Sequence, residues 1–146
     1  MTSFTIQFDG GWLTLAVYGY ENTAATTMSD ANWLVCRIDY ELEGLTGGCG
    51  ISISTTDTIS FRDEVQMPLN NLSGAAEFFN EEEDVRIEMK FVSRGTVEVT
   101  GRIVKNGIMR YQIDFNSTSD QTRIGQCYKE LIQVADKFPQ ISFCGS

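Results

Sequence analysis

Carboxylates dominate the chemistry that is available to this sequence. Asp and Glu total 20, Lys and Arg total 11, and histidine is absent. Without histidine the chain lacks the usual general base, any Ser-His-Asp arrangement and the commonest metal ligand. Two carboxylates can still act together as acid and base, as in glycosidases, but spacing in the sequence does not show which pairs meet. We therefore expect no enzyme, with a carboxylate-based hydrolase left open.

The cysteines are the other residues that could hold a metal or react. Cys36, Cys49, Cys127 and Cys144 include no C-x-x-C pair. Three of them fall in apolar-patterned segments, where a reduced thiol packs like a small hydrophobe. We predict free thiols, no zinc and no cofactor.

Two groups of acidic residues are the best candidates for binding a partner. They comprise Asp39, Glu41, Glu43, Glu81, Glu82, Glu83 and Asp84. The second group follows a predicted helix, where carboxylates oppose the macrodipole at a cost of about 0.3–1 kcal/mol each. The first group lies on one face of a predicted strand, where like charges are mildly unfavourable. Basic groups on a partner would offset both costs, although a solvated loop and an exposed strand face are the simpler interpretations.

The net charge of −9 indicates which partners to expect. Residues 1–61 contain one basic residue, Arg37, against seven acidic residues. Nucleic acids and anionic membranes select clusters of Lys and Arg, so neither is an expected partner, and a basic protein is favoured. Arg86, Arg102 and Arg110, predicted side by side on one sheet face, form a possible anion site that the acidic run could equally neutralise.

Length and hydropathy indicate one domain. A chain of 146 residues with 42% hydrophobic content suffices for one well-buried core and is short for two, so we predict a single domain over residues 1–146. Residues 1–8 lack the parts of a signal peptide, and no stretch is long enough for a membrane span. We expect a cytoplasmic protein.

The first half of the chain is patterned mainly as strands. Apolar alternation around Asp9-Gly10 predicts a hairpin with a type I′ turn, in which Phe4 lies opposite Leu15 and Ile6 opposite Leu13. Residues 21–30 are predicted to be a loop, and residues 34–42 a long strand. Glycines 44, 47 and 48 should break that strand, and weaker strands are predicted around residues 51–53 and 59–61.

The second half is predicted to contain two helices and a meander. Apolar spacing predicts a short helix from about Pro68 to Asn80. Three strands should follow within residues 85–115, joined by three-residue loops at 93–95 and 105–107. In this register Phe91 pairs with Val97, and Ile103 pairs with Met109.

The C-terminal helix gives the strongest periodic signal. From Ser119 onward, apolar residues recur at helical spacing for four turns until Pro139, and Ser117, Ser119 and Asp120 are capping candidates. The predicted fold class is therefore α+β. It has antiparallel sheets, made of an N-terminal hairpin with a long strand and of a C-terminal meander, and the last helix packs on them.

The order of these elements resembles that of the WapI-like immunity proteins of bacterial polymorphic toxin systems. The resemblance covers residues 4–139. It rests on Asp30-Ala31-Asn32-Trp33-Leu34 before a long strand, Gly95-Thr96-Val97-Glu98-Val99-Thr100-Gly101, Ile113-Asp114-Phe115, Asp120-Gln121 and Lys137-Phe138-Pro139. It implies a cytoplasmic protein that binds and neutralises the toxin domain of a surface or secreted effector, often a nuclease, and it supplies no catalytic residues.

The sequence therefore leaves two candidate functions. The first is an immunity-type protein that occludes a cognate, basic toxin domain. The alternative is a small-ligand or carrier domain, with an apolar cavity between sheet and helix lined by Tyr18, Tyr20 and Phe115.

Overall fold

Two antiparallel four-stranded sheets and three helices make up residues 2–142, the part of the chain that the computed structural model describes. Sheet A contains β1 (Thr2–Phe8), β2 (Gly11–Tyr20), β3 (Trp33–Leu42) and β4 (Leu45–Ser54) in that order. Sheet B contains β5 (Gly74–Phe79), β6 (Val85–Ser93), β7 (Thr96–Asn106) and β8 (Arg110–Asp120). The helices are α1 (Met28–Ala31), α2 (Thr55–Asn71) and α3 (Gln121–Lys137). The predicted α+β class is confirmed.

The β1–β2 hairpin has the predicted register but a different turn. Phe4 pairs with Leu15 and Ile6 with Leu13, as expected. A type I′ turn needs positive φ at both central residues. Here Gly10 has φ 86° whereas Asp9 does not enter the positive-φ region, so the turn type was predicted wrongly.

Gly44 lies in the turn that ends β3, as predicted, whereas Gly47 and Gly48 lie within β4 instead of breaking the sheet. The turn itself is Glu43-Gly44, and β4 begins at Leu45. A Cβ on Gly47 would collide with the Tyr40 side chain, and one on Gly48 would collide with the Arg37–Asp39 ion pair. These glycines let cross-strand side chains lie flat against β4.

The segment between the two sheets was predicted wrongly. Ile59 and Phe61, expected in a strand, belong to α2, and residues 74–79, expected in a helix, form β5. Ser54 starts α2 with a capping box, since its hydroxyl accepts from the Asp57 N–H and the Asp57 carboxylate accepts from the Ser54 N–H. Pro68 lies in the last turn of this helix, not the first. The preceding loop, residues 21–30, also differs from prediction because it ends in the short helix α1.

The β6–β7 hairpin confirms the predicted pairing of Phe91 with Val97. Its turn is nevertheless shorter than predicted: Ser93 pairs with Thr96 across Arg94-Gly95, whose φ angles of 49° and 79° are both positive. The register shift between Phe91 and Ser93 absorbs the remaining residue as a bulge.

The β7–β8 register was predicted wrongly by four residues. Ile103 pairs with Ile113 rather than Met109, and the loop is Gly107–Met109. An even shift leaves every side chain on its predicted face, so apolar alternation cannot distinguish the two registers. The contact between Gly101 and Phe115 distinguishes them. The Phe115 ring lies over Gly101, its partner across the ladder, where a Cβ would collide with the ring.

Helix α3 agrees with prediction, and the core joins it to both sheets. Asp120 caps the helix by accepting from the Arg123 N–H at 2.8 Å, and the helix ends at Lys137, before Pro139. Its buried residues are Ile124, Cys127, Leu131, Val134 and Ala135. The core is continuous from sheet A to sheet B, and the Phe4 ring packs on Phe61 of α2 and Phe78 of β5.

Candidate protein-binding surface

The acidic run Glu81–Asp84 is the connection between β5 and β6. It does not follow a helix, so the macrodipole argument for it was wrong. Asn80, which is fully buried, organises the connection from inside. The Asn80 Oδ1 atom accepts from the N–H groups of Asp84 (2.9 Å) and Val85 (3.2 Å). Its Nδ2 atom donates to the Asp84 carboxylate (2.8 Å) and to the Ser52 carbonyl oxygen (3.3 Å).

These bonds divide the run into one structural and three outward-facing residues. Asp84 is engaged by Asn80, and its carbonyl oxygen accepts from the Val104 N–H at 2.9 Å. Glu81, Glu82 and Glu83 are exposed. The loop therefore presents its glutamates from a hydrogen-bonded backbone that is fixed to both β4 and β7.

Two residues of the run, Glu82 and Asp84, line an open groove of about 480 Å³ together with a third carboxylate, Glu21. We call it the acidic groove. Its walls include Glu21, Val35, Gly50, Ser52, Glu82 and Asp84. The Ser52 hydroxyl donates to the Glu21 carboxylate at 3.1 Å. Among the described residues that line the acidic groove there are three acids and neither lysine nor arginine. Sequence reasoning missed Glu21 because it precedes an aperiodic segment that gives no register.

The pKa values of two nearby groups are raised mainly by burial, and neighbouring carboxylates add a smaller contribution. Burial raises the pKa of Asp57, and the charge of Glu81 adds to the rise. Burial raises the pKa of the Cys36 thiol to about 12, with further contributions from Asp57 and Glu21. Cys36, Cys49 and Cys127 are free, as predicted, and Cys144 lies outside the described residues.

The strand group of predicted site residues lies elsewhere. Asp39 forms an ion pair with Arg37 at 3.0 Å, and Glu41 lies across from Trp12 in the ladder. Glu43 is in the β3–β4 turn, where its N–H donates to the Gly10 carbonyl oxygen at 2.8 Å. At roughly 3.3 Å per residue, Glu43 lies about 26 Å along the sheet from Val35 and the acidic groove. The structure thus brings Glu82 and Asp84 together with Glu21 in the acidic groove, whereas Asp39, Glu41 and Glu43 do not line it.

The three arginines lie in a second open groove, of about 400 Å³, on the other side of the acidic run. Arg86 and Arg102 are cross-strand neighbours, but Asp114 takes the position predicted for Arg110. Arg102 pairs with Asp114 at 2.8 Å, and Arg86 pairs with Glu77 at 3.1 Å. Glu81, Glu82 and Glu83 line the same groove, which makes it a mixed-charge surface.

Several large apolar side chains are exposed, among them Met109, which was predicted to pair with Ile103. Trp12 is 36% exposed on the outer face of sheet A. At the β7–β8 turn Ile108 is fully exposed and Met109 is 72% exposed. The predicted pairing of Met109 with Ile103 would have buried it in the meander, and the true register instead places it at the hairpin tip.

The three aromatic residues proposed to line a ligand cavity do not meet. Tyr18 is 55% exposed. Tyr20 packs on Phe138 and donates its hydroxyl to the Pro139 carbonyl oxygen at 2.7 Å. Phe115 stacks on Phe8 with ring centroids 5.2 Å apart. This arrangement does not support the carrier alternative.

Comparison with known proteins identifies a family and a fold. The model of the "Immunity protein WapI-like family" matches residues 4–139. None of the curated proteins matches the sequence. Among solved structures, the plant transcriptional regulator PBF-2 is similar, with a TM-score of 0.52 and 12% identity over 94% of this chain and 81% of that chain. At that identity the similarity concerns the fold alone.

Within residues 2–142, no helix is long and apolar enough to cross a membrane, and no metal-binding group of cysteine and acidic side chains forms.

Proposed function

The chain belongs to the immunity protein WapI-like family, and on that premise we propose that it neutralises a cognate toxin domain by binding over its active surface. The family assignment supplies the immunity role, and occlusion is our proposal for how that role is performed. Occlusion is stoichiometric binding, which needs neither catalysis nor a cofactor. We place this action in the cytoplasm.

The observation that carries the proposal is the acidic groove. Glu21, Glu82 and Asp84 line one open surface, and Glu81 extends the negative charge toward Asp57. A toxin that attacks nucleic acid must carry Lys and Arg to hold phosphates. A basic toxin domain, such as a nuclease, would therefore find on this surface a complement to its substrate-binding site.

The charge of the whole chain favours fast capture of such a partner. A net charge of −9, together with the carboxylates of Glu21, Glu82 and Asp84 in the acidic groove, steers a basic molecule before contact. Speed matters for an inhibitor, because each unbound toxin molecule is active until it is captured.

Co-expression tests the proposal. We expect wild-type protein to form a complex with the toxin domain encoded beside it and to restore growth of the host. The triple variant Glu21→Gln, Glu81→Gln, Glu82→Gln should bind more weakly and restore growth less, because it removes two charges from the acidic groove and a third from the adjoining acidic run. Asp84 is left unchanged, since its carboxylate accepts from Asn80 within the fold.

A second triple variant with the same change in charge provides the control. Glu88→Gln, Glu98→Gln and Asp136→Asn alter exposed residues on β6, β7 and α3. This control should bind and protect like wild type. Absence of a wild-type complex, or equal loss of binding in both variants, would contradict the proposal.

A further inference from the structure

The β7–β8 hairpin extends past the rest of sheet B and ends in an apolar tip. The β6–β7 ladder stops at the pair Val85–Ile103, whereas β7 and β8 remain paired as far as Asn106–Arg110. Ile108, at the end of this extension, is 112% exposed, and Met109 is 72% exposed. Two large apolar side chains held at a hairpin tip contribute nothing to the core.

The extension is fixed in place. The Gly107 N–H donates to the Met109 carbonyl oxygen at 3.2 Å, which closes the tip. At its base, the Val104 N–H donates to the Asp84 carbonyl oxygen at 2.9 Å, which ties β7 to the connection between β5 and β6. A tip that is already ordered loses less conformational entropy when it binds.

The tip rises between the two charged grooves. Asn106, at its base, lines the acidic groove together with Glu82 and Asp84. Asn106 and Arg110 also line the mixed-charge groove together with Glu81 and Glu83. The apolar tip is thus bordered by the carboxylates of the acidic run and by Arg110 on its own hairpin, an arrangement with an apolar centre and a charged rim that is typical of protein interfaces.

We propose that Ile108 and Met109 insert into an apolar cleft of the toxin domain whose rim is basic. This inference rests on the proposed function and adds a division of labour to it: carboxylates set the rate of encounter, and the tip sets the lifetime of the complex. Buried apolar anchors of this kind dominate binding energy at the centre of an interface.

Charge favours a basic toxin domain as the partner of the tip over a second copy of the chain and over an anionic membrane. A second copy of the chain, docked tip to tip, would bring two acidic runs together, each on a protein of charge −9. An anionic membrane would repel the same carboxylates. A basic rim around an apolar cleft complements the apolar tip and the carboxylates of the acidic run beside it.

Binding kinetics of tip variants test the inference. The double variant Ile108→Ala, Met109→Ala should weaken binding of the purified toxin domain by roughly 30-fold or more, the level of an interface hot spot. The loss should appear in the dissociation rate, with the association rate and its salt dependence little changed. Met67→Ala, which truncates a methionine that is 68% exposed on α2, is the control and should bind like wild type.

The outcomes separate the two proposals. If wild-type protein forms no complex, both the proposed function and the inference are overturned. A complex that tolerates the double variant overturns the inference alone. Sedimentation showing a wild-type dimer that Ile108→Asp dissociates would assign the tip to a second copy and would also overturn it.

Discussion

At the scale of single residues, some acids are engaged by neighbouring side chains of the protein, and others form no ion pair within the described residues. Asp84 is held by Asn80, Asp39 by Arg37, and Asp114 by Arg102. Glu81 and Glu82 are exposed on an ordered loop. Residue type alone could not make this division, because it depends on cross-strand neighbours and on a buried asparagine.

Asp9 gives a prediction about pH. The Thr118 hydroxyl donates to its carboxylate at 2.7 Å and the Arg123 guanidinium at 2.9 Å, which lowers the pKa of Asp9 from its ordinary value of 3.8. A lowered folded-state pKa means that this contribution to stability is present above pH 3.8 and is lost as the pH falls through the folded-state value. Titration of the carboxyl carbon by NMR should therefore give a value below 3.8.

The Thr118 hydrogen bond is the largest cause of the lowered pKa of Asp9, and removing it provides the control for this measurement. Thr118→Val should raise the pKa of Asp9 toward 3.8, whereas Thr100→Val, on β7, should leave it unchanged. A wild-type value at or above 3.8 would show that the contacts of Asp9 are not formed.

At the scale of elements, the spacing of apolar residues predicted a helix or strand correctly where one continuous apolar stripe or face is buried. Helix α3 was predicted because its buried stripe is mostly aliphatic. Helix α2 was missed because threonines 55 and 58 and Pro68 belong to its buried stripe, which therefore does not read as apolar. Its capping box, Ser54 with Asp57, was the signal that could have identified it. The register of β8 was predicted wrongly for another reason, since a shift by an even number of residues leaves each side chain on the same face of the sheet.

The contact between Gly101 and Phe115 gives a prediction about that register. Gly101→Ala would force the Phe115 ring away from β7, so we expect a loss of about 1–3 kcal/mol in the free energy of unfolding. Gly125→Ala, in α3 where no atom lies within 4 Å of a new Cβ, should instead stabilise by about 0.5–1 kcal/mol. Denaturant unfolding of the two variants measures both. A Gly101→Ala protein as stable as wild type would contradict the β7–β8 register described here.

At the scale of the whole molecule, function follows from the surface and not from the fold. A fold shared with a plant transcriptional regulator at 12% identity does not indicate a common activity. On this chain the acidic run lies beside Glu21 and beside Asn106 at the base of the apolar tip. The sequence predicted the acidic run. It could not predict Glu21, whose place depends on how sheet A meets the acidic run, or the tip, whose place depends on the β7–β8 register.

The most direct test of the central claim is the association rate constant with the toxin domain, measured by stopped flow over a range of salt concentrations. For wild-type protein we expect this constant to fall by roughly ten-fold or more between low and high salt, because steering by exposed charges is screened. The Glu21→Gln, Glu81→Gln, Glu82→Gln variant should associate more slowly at low salt and converge with wild type at high salt. An association rate that does not change with salt, or that is the same for both proteins at low salt, would contradict capture through the acidic groove.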